Sequence, residues 1–308
     1  MDSDRQTTRQ RAEALVSTVP PLLVAAERVA ATVAQGVHGR RRVGTGESFW
    51  QFRQYQQGDP IQRIDWRQTA KTDTVYIREL EWEAAQTIWL WRDASPSMDY
   101  RSRRDLPSKR ERAEILLLAL AILLSRGGER MALLGGGHMA TTGQVAVNRI
   151  LQAFESSADT TGTDADGLPG SEDVPRHGEL VMIGDLLSPL EAIDKMVGRY
   201  VNRGVRGHML QILDSTEVTL PFGGRVRFAG FEGERETLIP RVESIREAYL
   251  DRLQAQQDGL RALCRSAGWT FSTHCTDNSP QTALLSLYAA LSQEPVDQPD
   301  ARVPAAGG

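Results

Sequence analysis

Asp93, Ser95 and Ser97 place side-chain oxygens at alternate positions in the run Trp89-Leu90-Trp91-Arg92-Asp93-Ala94-Ser95-Pro96-Ser97-Met98. An apolar, strand-like stretch ends abruptly at that loop. Three such groups can converge on one hard cation, and Mg²⁺ favours near-octahedral oxygen coordination with few protein carboxylates and several waters. One Asp and two hydroxyls therefore leave room for an outside ligand. The same triplet also reads as a plain loop in which Asp93 or Ser97 caps the following helix.

A second acid stands in an equivalent place. Glu179-Leu180-Val181-Met182-Ile183-Gly184-Asp185 is another apolar strand that ends in a carboxylate. In doubly wound sheets, ligands gather beyond the carboxyl ends of the strands, where loops converge at a change in strand order. Asp93 and Asp185 both meet that description. Between them the polar stretch from Ser156 to Gly178 holds Thr160, Thr161 and Thr163, any of which can add a hydroxyl. Agreement between independent loops favours a site for Mg²⁺ (or Mn²⁺) over a simple cap.

The elements that must position these groups alternate between strand and helix. Thr74 to Trp82 and Thr87 to Trp91 have strand composition, and the short junction Glu83 to Gln86 permits a hairpin. Helices are expected over Arg110 to Ser125, Val145 to Phe154, Leu190 to Val201, Ile239 to Ala267 and Pro280 to Leu291. Strands are expected over Arg130 to Leu134, Glu179 to Asp185, His208 to Leu213 and Trp269 to Cys275, with a small β insertion over Leu220 to Phe231. This order predicts an α/β fold: a mostly parallel sheet with helices on both faces.

Four stretches divide the chain. Residues 1–35 read as a helical segment interrupted at Pro20-Pro21, and 74–293 as the α/β domain. The segment 36–73 reads as irregular but packed on the core, because Phe49, Trp50, Tyr55, Ile64 and Trp66 are too apolar to be solvated together. Residues 294–308, rich in Pro, Ala, Gly and Asp, are expected to be disordered.

Composition narrows the function. With 308 residues, 40% hydrophobic and 25% charged, the chain has ample core, and a net charge of -4 argues against nucleic-acid binding by bulk electrostatics. Met1 to Arg5 lacks a secretory signal, and the apolar run Ile115 to Leu124 falls short of the ~20 residues of a membrane span. A cytoplasmic location with no membrane span is the expectation. Cys264 and Cys275 make neither a disulfide framework nor a zinc set.

Rival motifs are weaker. Lysine occurs only at Lys71, Lys109 and Lys195, and none follows a glycine, so there is no P-loop. Gly135-Gly136-Gly137 reads as a turn. Asp164-Ala165-Asp166-Gly167 lacks the spaced partner acids of a calcium loop. His274 and Cys275 are adjacent strand residues and point to opposite faces. Arg40 to Arg42 is a charge run, solvated or facing an acidic partner.

Two resemblances sharpen the reading. Asp93-Ala94-Ser95-Pro96-Ser97-Met98 is similar to the metal-ion-dependent adhesion site of von Willebrand factor A domains, a pattern of Asp-x-Ser-x-Ser with a Thr and a later Asp. Arg53-Gln54-Tyr55-Gln56-Gln57-Gly58-Asp59-Pro60, Arg63-Ile64-Asp65-Trp66 and Ile77-Arg78-Glu79 resemble the bacterial family called domain of unknown function fifty-eight. So do Ile212-Leu213-Asp214, Pro221-Phe222-Gly223-Gly224-Arg225, Tyr249 and Leu284 to Tyr288, and the likeness runs from about Gly36 to Leu291. The resemblance implies a von Willebrand factor A-like domain whose metal ligands are Asp93, Ser95, Ser97, Thr163 and Asp185. Thr163 enters through Gly162-Thr163-Asp164, which fits the family's Gly-Thr-Asp. It also implies an adaptor or chaperone-like partner of a MoxR-type AAA+ ATPase, acting on client proteins. Many relatives carry an N-terminal membrane hairpin, and this chain resembles the short soluble branch.

Three functions compete on these grounds. The first is a non-enzymatic, metal-dependent interaction module. The second is a metal-assisted hydrolase with Asp93 or Ser95 as nucleophile, for which the loop Pro96 to Arg104 offers Asp99 but no His as base. The third is a scaffold whose metal site is vestigial.

Overall fold

The computed structural model describes residues 21–36, 49–55, 64, 66–71, 74–80, 87–137, 139–156, 167–170, 174–230 and 236–292. Five strands form one parallel sheet: β3 (Thr87–Arg92), β4 (Arg130–Leu133), β5 (Glu179–Gly184), β6 (Arg206–Leu213) and β9 (Thr270–Cys275), in the order β4-β3-β5-β6-β9. The chain moves outward from β3 to β4, then returns to place β5 on the other side of β3. That reversal is the switch point of a doubly wound sheet, and it lies between the ends of β3 and β5. The α/β expectation therefore holds.

The strands are apolar on both faces because both faces are covered. Leu90, Val181, Ile183, Leu210 and Ile212 point to one side, with α1 (Pro21–Gly36), α3 (Lys109–Arg126), α4 (Gly143–Glu155) and α8 (Pro280–Leu291). Leu180, Met182 and Met209 point to the other, with α5 (Leu190–Val201) and α7 (Glu243–Ser266). The single-residue alternation between Leu180-Met182 and Val181-Ile183 is the pleat at work.

Helix α3 shows no amphipathic pattern in sequence, and its packing explains why. Leu116 to Leu124 are all buried, since the sheet lies beneath the helix and α1 and α8 lie against it. Ala26, Ala30 and Val33 of α1 belong to that same core. The long helix α7 begins at Glu243, because Thr237–Ile239 is instead β8, paired antiparallel with β7 (Val226–Phe228) in the small insertion.

Three local expectations are corrected. The strand Tyr76–Leu80 (β2) does not form a hairpin with β3; it pairs antiparallel with β1 (Phe49–Gln54) in a separate two-stranded sheet. Its ladder partner precedes it in the chain, so the stretch expected to be irregular contributes a strand and a short helix, α2 (Trp66–Thr69). Trp66, expected to be packed, is 65% exposed. Residues 1–20 and 293–308 lie outside the described residues.

Candidate functional site

Asp93 follows β3 and continues its ladder, with its N–H donating to the Ile183 carbonyl at 2.9 Å. The chain then turns sharply. The Ser95 N–H donates to Asp93 Oδ1 at 2.8 Å, and Pro96–Asp99 forms one 3-10 turn. Arg110 clamps the loop from beneath, donating to the Ala94 carbonyl at 3.1 Å while pairing with Asp99. The triplet is thus held by backbone as well as by its own side chains.

Asp185 arrives from the end of β5, and Ser97 Oγ donates to its Oδ2 at 2.7 Å. Ser95 Oγ lies 2.9 Å from Ser97 Oγ. Asp93, Ser95, Ser97 and Asp185 therefore form one hydrogen-bonded cluster at the switch point, as their placement at strand ends predicts. Asp93, Ser95 and Asp185 are all buried. Burial, then the neighbouring Asp185 carboxylate, push the Asp93 carboxyl up to about 6.

Two glycines make the cluster possible. A Cβ on Gly184 would lie 2.8 Å from Asp93 Cβ, so only glycine lets the two strand ends approach this closely. Gly167, at φ 68°, brings the intervening loop to within 3.8 Å of both Asp93 carboxylate oxygens, measured from where its Cβ would stand. The chain entering Gly167 carries Thr160, Thr161 and Thr163, which lie outside the described residues.

The loop after Asp185 is strained and firmly held. Leu186 has φ 51°, a left-handed conformation that a bulky side chain adopts only under constraint. Three glutamines supply the constraint. Gln211 donates to the Asp185 carbonyl at 2.8 Å, and Gln256 donates to the carbonyls of Leu186 and Ser188 at 3.1 and 2.9 Å. Gln257 in turn donates to Gln211 Oε1 at 3.1 Å.

Sequence reasoning missed Lys109 and Glu217. Ser108 caps α3 through a reciprocal box with Glu111, which fixes Lys109 as the first helical residue. Its ammonium is buried, donating to Asp185 Oδ2 at 3.0 Å and to Glu217 Oε1 at 2.8 Å. Burial pulls the Lys109 pKa down, but Asp185 and Glu217 outweigh it and hold the group above its ordinary value. A lone lysine after Pro107-Ser108 offered no signal of this, since both acceptors come from distant turns.

The donor set suits a hard divalent cation: two carboxylates and two hydroxyls, all oxygen. Asp185 and Glu217 share the Lys109 ammonium, and Asp93 lies beside Asp185. Among the described residues no group of three or more His, Cys, Asp or Glu is placed to hold a metal ion. His208 and His274 are buried sheet residues; burial first, then Arg206 and Arg112 respectively, lower each to about 4. Gly135 and Gly137 adopt positive φ in a turn after β4, as expected.

The chain matches the family described as "Protein of unknown function DUF58" over residues 51–259, and it belongs to that family. It is similar to the uncharacterized proteins Rv1480 of Mycobacterium tuberculosis (strain ATCC 25618 / H37Rv) and Mb1516 of Mycobacterium bovis, at 29% identity over 207 residues. That match spans 63% of this chain and 63% of each relative, under two thirds of their length. Among solved structures it is similar to BatB from Bacteroides thetaiotaomicron, at 13% identity and TM-score 0.37, over 68% of this chain and all of that one. It is also similar to an aerotolerance-related membrane protein from Bacteroides fragilis, at 16% identity and TM-score 0.37, over 67% of this chain and 98% of that one. Among the described residues no helix is long and apolar enough to cross a membrane.

Proposed function

We propose that this chain is a non-enzymatic interaction module, von Willebrand factor A-like in its domain, that binds partners through a Mg²⁺ (or Mn²⁺) ion held by Asp93, Ser95, Ser97 and Asp185. The single observation that supports it most is the bond from Ser97 Oγ to Asp185 Oδ2, which joins the Asp-x-Ser-x-Ser loop to the second strand-end acid. Thr163 is the proposed fifth ligand. A bound dication supplies an electrophilic position for a partner's carboxylate, since neutral hydroxyl ligands leave its charge largely uncompensated.

What the protein's own residues do is fix and shield. Gln211 and Gln256 hold the Asp185 loop, Arg110 holds the Ser95 loop, and Gly184 keeps the two acids close. We further propose a cytoplasmic, chaperone-like role in which a MoxR-type AAA+ ATPase is the partner, on the strength of the family resemblance. Affinity capture of the co-expressed ATPase with and without chelator tests partner and metal together. Capture that is insensitive to chelator and survives Asp93→Ala would overturn the metal-dependent reading.

A further inference from the structure

Lys109 is 1% exposed, and its Nζ shares Asp185 Oδ2 with the Ser97 hydroxyl. Two donors on one carboxylate oxygen leave it little capacity to bind a cation as well. The second acceptor of the ammonium is independently anchored. Glu217 Oε2 accepts the Asp214 N–H at 2.7 Å within the capping box of the short helix α6 (Ser215–Thr219). Asp214, fully buried, accepts in turn from Thr216 N, Thr216 Oγ1 and Ser102 N. The Tyr100 hydroxyl lies 2.8 Å from Thr216 Oγ1 and ties that frame to the loop leading into α3.

We infer that Lys109 is a resident counter-ion that competes with the divalent cation for Asp185, and that Glu217 is the acceptor onto which the ammonium withdraws when the cation binds. This rests on the metal-dependent reading above. Its physical basis is that an ammonium on Oδ2 and a dication on either oxygen of the same carboxylate, Oδ1 accepting the Leu187 N–H at 3.4 Å, repel strongly in a poorly solvated site. Glu217 stays fixed by Asp214 whether or not Asp185 is engaged, so Lys109 always has a second partner within reach. The ion pair therefore sets how tightly the site holds metal, and links metal occupancy to the α6 turn.

The test uses Mn²⁺ and the full-length protein, with free Mn²⁺ followed by its electron paramagnetic resonance signal and folding followed by circular dichroism. Lys109→Met combined with Glu217→Gln removes one charge of each sign, so the net charge of the site is unchanged, while Asp185 loses its ammonium and keeps the Ser97 hydroxyl as a donor. That variant is expected to bind Mn²⁺ about tenfold more tightly than the parent. Glu217→Gln alone leaves the ammonium with Asp185 as its carboxylate partner, and is expected to bind Mn²⁺ about tenfold more weakly. Should the double variant fail to fold, the single variant still decides: unchanged or tighter binding overturns the inference. Parent and double variant binding Mn²⁺ equally would overturn the role of Lys109 while leaving the metal reading intact. Absence of Mn²⁺ binding in every form would overturn both.

Discussion

Ser97 and Asp185, separated by 88 positions in the chain, meet in a 2.7 Å hydrogen bond at the switch point of the sheet. That contact converts two unremarkable strand ends into one cluster of oxygen donors. Its consequences can be measured separately for charge, hydroxyl, backbone spacing and acidity.

Asp93 supplies charge to the proposed ion, so Asp93→Ala should abolish Mg²⁺ binding in calorimetry while leaving the circular dichroism spectrum unchanged. Equal heats for the variant and the parent would remove Asp93 from the ligand set.

Without metal, the same carboxylate destabilises the fold. Its pKa is pushed from 3.8 to about 6 by burial and by Asp185, so above pH 6 the ionised form is held at a cost of about 3 kcal/mol as a ceiling. Asp93→Asn keeps an acceptor for the Ser95 N–H and removes the charge. In chelator at pH 7.5 it should raise the unfolding free energy by about 2 kcal/mol. In excess Mg²⁺ the order should reverse, and thermal unfolding under the two conditions is the measurement.

Ser97→Ala removes one neutral oxygen close to the surface and its bond to Asp185. Stability should fall by only about 1 kcal/mol. Retention of the co-expressed ATPase in a pull-down should fall much further, and unaltered retention would place the contact on another face.

Gly184→Ala drives a methyl group to 2.8 Å from Asp93 Cβ, so the strand ends must separate. A loss of about 1–3 kcal/mol of stability is expected from overpacking. Mn²⁺ affinity should fall with it, whereas a variant as stable as the parent would show that the ends have freedom to part.

Acid should weaken the fold through His208 and His274. Each is buried and lowered from 6.5 to about 4, so between those values the unfolded chain takes up protons that the folded one refuses. Stability is full above pH 6.5 and is lost as pH falls towards 4, by about 3 kcal/mol per histidine as a ceiling. Asp93 works in the opposite sense between pH 6 and 3.8 and offsets part of the loss. Denaturant unfolding across that range should show a shallower acid limb for His208→Gln with His274→Gln.

The strand-end acids were legible because alternation and abrupt polarity mark where a buried strand stops: β3 stops one residue before Asp93 and β5 one before Asp185. The helices Leu190–Val201 and Pro280–Leu291 were legible to the residue, each opening beside a proline. The pairing of β2 with β1 was not, because proximity along the chain suggested β3 while the true partner lay in a stretch whose glycines and charges masked its pattern. Lys109 and Glu217 were also hidden. Their meeting depends on where the first turn of α3 comes to rest against α6, which no local spacing encodes.

The burial of α3 between the sheet and α1 bears on where the protein can be cut. The segment that carries the family match, 51–259, omits α1, the fifth strand β9 and the whole of α8. Trimmed to those limits, the chain would uncover the face of α3 that packs on α1 and α8 and leave β6 with an unpaired edge, the two conditions under which chains associate with one another. Kinship and autonomy thus have different borders here. The segment matched to the family is smaller than the set of elements that closes the core.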